Sequence, residues 1–123
     1  MARLPWRRSA GDPEEPRGGI DAEPLVVCSF QDGTLFVYDD HVFIERAGPS
    51  RFDDKAVPRD ELVDVTYEKG FAIGYLQLVQ AGIEPDAGGF LTTPVDENTL
   101  HFGRRDRDCA ERARDELLFG GEP

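Results

Sequence analysis

The sequence is poor in the residue types on which most catalytic and metal sites depend. Its 123 residues include only two histidines and two cysteines, and these four are not spaced like the ligands of a zinc site. A glycine-rich phosphate loop and the serine of a nucleophile elbow are both missing from the pattern. The sequence therefore predicts neither a metal nor a cofactor, and it gives no positive argument for an enzyme.

Long apolar runs and a cysteine framework are also missing. No stretch of about 18 apolar residues could cross a membrane as a helix, and the basic amino terminus lacks the apolar core of a secretion signal. Two cysteines are too few for a disulfide framework in a domain of this size. We therefore expect Cys28 and Cys109 to be free, buried side chains in a reducing compartment, with a single bridge left open as the alternative. Together these features predict a soluble, cytoplasmic protein.

Positive charge is scarce. The chain has 14 basic and 25 acidic residues and a formal net charge of -11. Such a surface repels nucleic acid and anionic lipid unless a local basic patch overrides it. We therefore expect no nucleic-acid partner and disfavour membrane lipid. A basic protein or peptide, bound more weakly as salt rises, fits the charge best.

Composition divides the chain into three parts. Residues 1–24 contain four prolines and three glycines and show no helix or strand period, which predicts a disordered or extended tail. Residues 25–120 form the single domain, and residues 121–123 are a short carboxy-terminal tail. Trp6, Arg7 and Arg8 place an aromatic and a basic pair at the start of an acidic chain. The tail is either an inert leader or an arm that docks on a partner.

Alternation of apolar and polar residues dominates the domain. It predicts seven strands, at 25–30, 34–38, 41–46, 52–57, 61–68, 71–80 and 100–102, with the fourth at a sheet edge. One hairpin is apolar on both faces, with Leu35, Val37, Val42 and Ile44 on one side and Phe36, Tyr38 and Phe43 on the other. Such a hairpin is either covered on both sides or forms half of a barrel wall.

One helix is predicted at 106–119, with Asp108 and Glu111 as a capping box and Gly120 or Gly121 as the stop. Its apolar stripe is expected to close the core. The predicted core consists of Leu35, Val37, Val42, Ile44, Leu62, Val65, Tyr75, Leu100, Phe102, Ala113 and Leu117, with Leu78 and Val79 as further candidates for burial.

Two short segments carry specific expectations. Gly74 lies inside a strand and indicates a bulge, a bend or a close backbone approach. Residues 96–99, Asp-Glu-Asn-Thr, are typical of a turn whose side chains bond its own backbone. Asp96 and Glu97 could instead pair as an acid and a base, although the turn is favoured.

Four stretches, at 33–46, 55–65, 74–77 and 96–102, resemble a bacterial pleckstrin-homology-like (PH-like) domain of the kind found in bacterial and phage genomes. The resemblance covers about residues 25–119. The motif positions that carry it are Gly74, Tyr75, Gln77, Asp96, Glu97, Asn98, Thr99 and Phe102. It implies a mainly β (α+β) fold, a small barrel of about seven antiparallel strands closed by one carboxy-terminal helix.

The resemblance implies a non-catalytic binding or scaffolding module for a protein or peptide, of bacterial, phage or prophage origin. The alternatives are a homo-oligomeric or virion component docked by its amino-terminal arm, a lipid-binding domain, and a small enzyme that uses Asp96, Glu97 or His101. The predicted partner contacts are Trp6, Arg7, Arg8, Arg46, Arg51 and Lys55.

Overall fold

The structure is a computed structural model that describes residues 23–48, 50–89 and 92–120. The predicted tail up to residue 22 and the predicted carboxy-terminal tail, 121–123, lie outside the described residues. The elements in chain order are β1 (Val26–Phe30), β2 (Gly33–Val37), β3 (His41–Arg46), β4 (Lys55–Pro58), β5 (Leu62–Glu68), β6 (Gly74–Gln80), β7 (Thr99–Phe102) and α1 (Arg107–Phe119).

The strands form two antiparallel sheets in simple sequential order. One sheet has the order β1-β2-β3-β4 and the other β5-β6-β7. They meet where the Gln31 amide donates to the His101 carbonyl at 3.0 Å. A mainly β fold with seven strands and one carboxy-terminal helix is confirmed, and β4 lies at an edge as predicted. The described strands form two separate ladders and do not close into one barrel.

The β2–β3 hairpin follows the predicted alternation. Leu35 pairs with Ile44 and Val37 pairs with Val42, and all four side chains are buried. Because successive side chains point to opposite faces of a strand, the aromatic residues between them must face outward. This hairpin therefore fixes which face of the four-stranded sheet covers the core.

Strand β6 corrects one core prediction. Leu76 and Leu78 are buried, whereas Tyr75 and Val79 are only half-buried. The strand begins at Gly74, where a Cβ would lie 2.4 Å from the Glu68 carbonyl oxygen. Of the three alternatives predicted for Gly74, the close backbone approach is the one found, and the pleat that starts there turns the even-numbered residues inward. The irregularity in this sheet lies in β5, between positions 62 and 64.

The helix confirms the predicted stripe but not the predicted cap. Ala110, Ala113 and Leu117 are buried. The helix begins at Arg107 after a short 3-10 turn, so Asp108 lies inside its first turn and cannot be the cap. Glu111 accepts a hydrogen bond from the Tyr67 hydroxyl at 2.9 Å instead of returning to the backbone. The helix therefore packs on β5 through a side-chain contact that the capping pattern did not predict.

The core is a single cluster between the inner faces of the two sheets and the helix. Nine of the eleven predicted core residues belong to it, and Leu62 packs against it from a partly buried position. Its members are Cys28, Phe30, Leu35, Val37, Val42, Ile44, Val57, Val65, Leu76, Leu78, Leu100, Phe102, Ala110, Ala113 and Leu117. Among the described residues, no helix is both long and apolar enough to cross a membrane.

The two cysteines form a disulfide bond, so the expectation of free thiols is wrong. Cys28 faces inward on β1 and Cys109 lies in the first turn of the helix, at a sequence separation of 81. Their Cα atoms are 5.8 Å apart, a separation that a disulfide bridges without backbone movement. Strand alternation and helix packing place the two side chains together, which residue counting could not show. The argument from free thiols to a reducing compartment therefore no longer holds.

Candidate partner-binding site

Arg46 was predicted to contact a partner, but its side chain is only 3% exposed. Its guanidinium donates to three backbone carbonyls, those of Thr99 at 3.1 Å, Asp96 at 3.2 Å and Glu97 at 2.8 Å. The arginine joins β3 of one sheet to the turn before β7 of the other. This is a correction: Arg46 is a structural clamp and does not present its charge at the surface.

The other predicted basic contacts differ in exposure. The Lys55 ammonium lies 2.9 Å from Glu97 Oε2, so its charge is already paired. Arg51 is exposed, with its guanidinium 5.3 Å from the centre of the Phe52 ring. Trp6, Arg7 and Arg8 lie outside the described residues. Of the predicted set in the domain, only Arg51 offers an exposed and accessible charge.

The turn at 96–99 behaves as the turn interpretation predicts. Asp96 Oδ1 accepts the Asn98 amide at 2.9 Å and the Thr99 hydroxyl at 2.6 Å. Asp96 Oδ2 accepts the Asp86 amide at 3.0 Å. Burial would raise the pKa of Asp96, but these hydrogen bonds outweigh burial and hold the pKa below its usual value. Asp96 is thus an ionised acceptor that organises the turn.

Other motif residues stabilise the same sheet. Gln77 is buried and donates to the Asp86 carbonyl at 2.9 Å and to Asp96 at 3.1 Å. Phe102 is fully buried, and its ring centroid lies 5.7 Å from that of Tyr67. The positions behind the family resemblance therefore have visible structural roles in this fold.

His101 links the two sheets. Its Nδ1 lies 2.7 Å from Asp32 Oδ2, and its Nε2 lies 2.9 Å from the Pro94 carbonyl oxygen. Both neighbours are acceptors, and only the doubly protonated imidazolium can donate to both. The hydrogen bond to Asp32 raises the pKa of His101, against the opposing effect of burial and the nearby Arg46 charge. A ring whose two nitrogens are both engaged has no free nitrogen to act as a base.

The outward face of the four-stranded sheet is unusually apolar. Val27 lies opposite Phe36, Phe36 opposite Phe43, and Phe43 opposite Ala56, so one apolar row crosses all four strands. We call this face the outer patch and define it by Leu25, Val27, Phe36, Tyr38, Phe43 and Ala56. Leu25 is 48% and Val27 44% exposed, and the aromatic members are half-buried. An antiparallel sheet with one solvated face usually carries polar side chains there.

Carboxylates lie at both ends of the outer patch, and one of them, Asp40, is paired with the His41 ring at 2.7 Å. Glu23 precedes Leu25, Asp39 and Asp40 form the β2–β3 turn, and Glu45 follows Phe43 on the same face; all four are exposed. Arg59, which lies beside the β2–β3 turn, is already engaged, because its guanidinium donates to the Tyr38 and Glu116 carbonyls at 3.0 and 2.9 Å. The outer patch is therefore an apolar surface with an acidic rim.

Two sheet edges are protected by aspartates. The Val65 amide on the edge strand β5 donates to Asp64 Oδ1 at 2.8 Å. On the other edge strand, β7, the His101 amide donates to Asp32 Oδ1 at 2.8 Å. An added strand needs free donors at an edge, and these two are taken. The face of a sheet is therefore a better candidate surface here than those edges.

A basic cluster lies at the β5–β6 turn. Arg104 and Arg107 donate to carbonyls of residues 69–71, and Phe71 is 87% exposed under the Arg104 guanidinium. Arg104 and Arg107 are only three residues apart, but the carbonyls that they contact lie more than 30 residues away, so the sequence alone could not place these charges at this turn. Because both guanidinium groups already hold the turn, this cluster is less free to bind an anion than its charge suggests.

The outer patch was only partly predictable. The doubly apolar hairpin predicted either cover on both faces or a place in a barrel wall, but the row from β1 to β4 depends on the pairing register. Comparison with known proteins adds no identification: no family model, no curated protein and no solved structure matches the chain. The PH-like resemblance and the bacterial or phage origin therefore stay predictions.

Proposed function

We propose that the protein is a non-catalytic binding module that recognises an apolar protein or peptide segment flanked by basic residues. The observation that carries the proposal is the apolar row of the outer patch, which crosses four strands inside an acidic rim. Contiguous exposed apolar surface of this kind marks interaction sites in folded proteins. Two antiparallel sheets followed by a helix are also the order of elements that a PH-like scaffold would have.

The arrangement of the carboxylates and histidines supports a role without catalysis. Asp96 is occupied by its turn and His101 by Asp32 and Pro94. Glu97 is paired with Lys55 at 2.9 Å. A general acid or base must reach a substrate proton from a cleft, and each of these three groups is instead bonded to another residue of the protein.

Charge favours a protein or peptide over a lipid. Anionic headgroups would meet the acidic rim formed by Glu23, Asp39, Asp40 and Glu45, and like charges repel at short range. Basic residues beside an apolar anchor would instead approach the same rim favourably. The rim would set the salt dependence and the apolar row would supply most of the affinity.

The proposal can be tested with two synthetic peptides that share a Leu-Phe-Leu centre and differ only in Arg or Glu flanks. We expect the Arg-flanked peptide to bind the full chain in a fluorescence-anisotropy titration, and the Glu-flanked peptide not to bind. Phe43→Glu should weaken binding by roughly tenfold or more, which corresponds to about 1.4 kcal/mol.

Val63→Glu is the matched control, because Val63, like Val27, is an exposed valine on a strand. It is 67% exposed and lies on the other sheet. This substitution should leave the affinity unchanged. Val27→Glu serves as a second variant of the outer patch in case Phe43→Glu alters folding, which circular dichroism would report. Equal binding by the wild type and both outer-patch variants would contradict the proposed function.

A further inference from the structure

We infer that residues 3–8 of the chain, Arg-Leu-Pro-Trp-Arg-Arg, dock on the outer patch of the same molecule and must be displaced by an external partner. This inference rests on the proposed function, because it names the internal competitor of that binding surface. Residues 3–8 lie outside the described residues, so the argument depends on their sequence and on the surface they would meet.

The chemistry of the segment is complementary to the outer patch. Leu4, Pro5 and Trp6 form an apolar centre, and Arg3, Arg7 and Arg8 flank it without an acidic residue between them. The outer patch has the reverse arrangement, an apolar row inside a rim of carboxylates. Trp and Arg are the residue types that most often anchor small interfaces. No other stretch of the chain combines three arginines with a tryptophan, since Trp6 is the only tryptophan.

The position and length of the segment also fit. The described chain begins at Glu23, two residues before Leu25 at the margin of the outer patch. Four paired strands place the row from Val27 to Ala56 over roughly 15 Å, and six extended residues cover about 20 Å. Residues 9–24 could span about 50 Å when extended, so reach does not prevent docking within one molecule.

Because residues 3–8 are covalently attached, they bind the outer patch more readily than a separate peptide of the same sequence would. A short tether gives an effective concentration of order mM, so a contact whose dissociation constant is well below 1 mM would be largely formed. A partner would then bind only the fraction of molecules whose outer patch is open, and its apparent affinity would fall in proportion. The segment would act as a built-in threshold for partner binding.

Trp6 provides a direct test, because all tryptophan fluorescence of the full chain comes from this residue. We expect a blue-shifted emission and an acrylamide quenching constant about threefold below that of free N-acetyltryptophanamide, as a mostly docked segment would give at mM effective concentration. Phe43→Glu and Val27→Glu should each raise the constant toward the free value, and the control Val63→Glu should not. Shielding should weaken as salt rises.

Substitutions within the segment avoid any doubt about folding. The triple variant Arg3→Glu, Arg7→Glu, Arg8→Glu leaves every contact of residues 23–120 intact, and it should expose Trp6 as fully as Phe43→Glu does. The quenching constant should also be independent of protein concentration over a hundredfold range. Trp6 that is fully exposed in the wild type, or shielding that grows with concentration, would overturn docking within one molecule.

The peptide titration separates failure of this inference from failure of the proposed function. If residues 3–8 compete for the outer patch, the triple variant should bind the Arg-flanked peptide several-fold more tightly than the wild type. If the wild type and the triple variant bind the peptide equally, and Phe43→Glu weakens binding to both, residues 3–8 do not compete for the outer patch. The proposed function would then still hold. Absence of binding to both chains would overturn the function as well.

Discussion

The two faces of the four-stranded sheet are both apolar, yet the residues that the structure describes cover only one of them. On the inner face Leu35, Ile44 and Val57 are buried between the second sheet and the helix. On the outer face Val27 remains 44% exposed although it is opposite Phe36. The same strands therefore carry one set of apolar residues that the fold uses and another set that the described fold leaves exposed.

The difference separates stability from binding. Burial of an apolar side chain stabilises a fold roughly in proportion to the area removed from water. The inner residues lose nearly all of their exposure and the outer residues only part of it. The outer row therefore stabilises the fold less than it would if it were fully buried. A partner could bury the apolar area that remains exposed. Variants on the two faces should consequently fail in different ways.

The largest effect on stability should come from truncating a residue on the inner face, and its neighbour on the outer face provides the comparison. Ile44→Ala removes a fully buried side chain, and we expect a loss of about 2–5 kcal/mol in the free energy of unfolding. Phe43→Ala, one residue earlier on the outer face, should cost less than about 1 kcal/mol. Urea unfolding followed by circular dichroism measures both values.

Leu117→Ala gives an independent check from the helix side and should also cost about 2–5 kcal/mol. A loss below about 1 kcal/mol would mean that the helix does not close the core. If Phe43→Ala proved as costly as Ile44→Ala, the outer row would be part of the folding core, and the contrast between the faces would disappear.

Removing the disulfide measures how much the bond between β1 and the helix stabilises the fold. Reduction, or the double variant Cys28→Ser with Cys109→Ser, should lower the free energy of unfolding by about 2–4 kcal/mol, because the bond closes a long loop. Binding of the Arg-flanked peptide to the reduced, still folded chain should be unchanged, since the bond lies on the inner side of β1. Thermal unfolding with and without dithiothreitol provides the measurement. A shift in melting temperature too small to resolve would contradict the expected role of the bond.

A smaller, pH-dependent effect is expected at His101, which joins the sheets without touching the outer patch. Its pKa is raised in the folded state by Asp32, so its stabilising effect is complete below the unfolded value of about 6.5 and is lost as pH rises through the folded value. The contribution of Asp32 to stability has the opposite pH dependence. Burial would raise its pKa, but the hydrogen bonds from His101 outweigh burial and lower it, so its contribution is lost as pH falls through that lowered value.

We therefore expect His101→Gln to be destabilised by about 1–2 kcal/mol near pH 6, with the difference from the wild type shrinking as pH increases. Urea midpoints measured from pH 5 to 9 give the slope. Asp32→Asn is the control, because it removes the carboxylate and should flatten the same pH dependence. A difference that grows with pH would show that His101 is stabilised in its neutral form.

Local patterns predicted the fold better than the site. Alternation around Leu35 and Ile44 gave the hairpin and its inner face, because a period of two needs no knowledge of distant residues. The inward face of β6 was misassigned at Tyr75, since the pleat is set by the contact between Gly74 and a neighbouring strand. The burial of Arg46 depends on carbonyls about 50 residues away. Long-range pairing, which one sequence does not display, determines these features.

The bond between Cys28 and Cys109 also determines how the molecule would respond to mechanical tension. A force applied to the two ends of the chain would pass through the disulfide and leave the loop between the two cysteines, whose sequence separation is 81, outside the loaded path. Under oxidising conditions the molecule would lengthen only through the segments before Cys28 and after Cys109. After reduction the same pull would unravel both sheets. In a single-molecule stretching experiment, the oxidised molecule would show a short extension and the reduced molecule a long one.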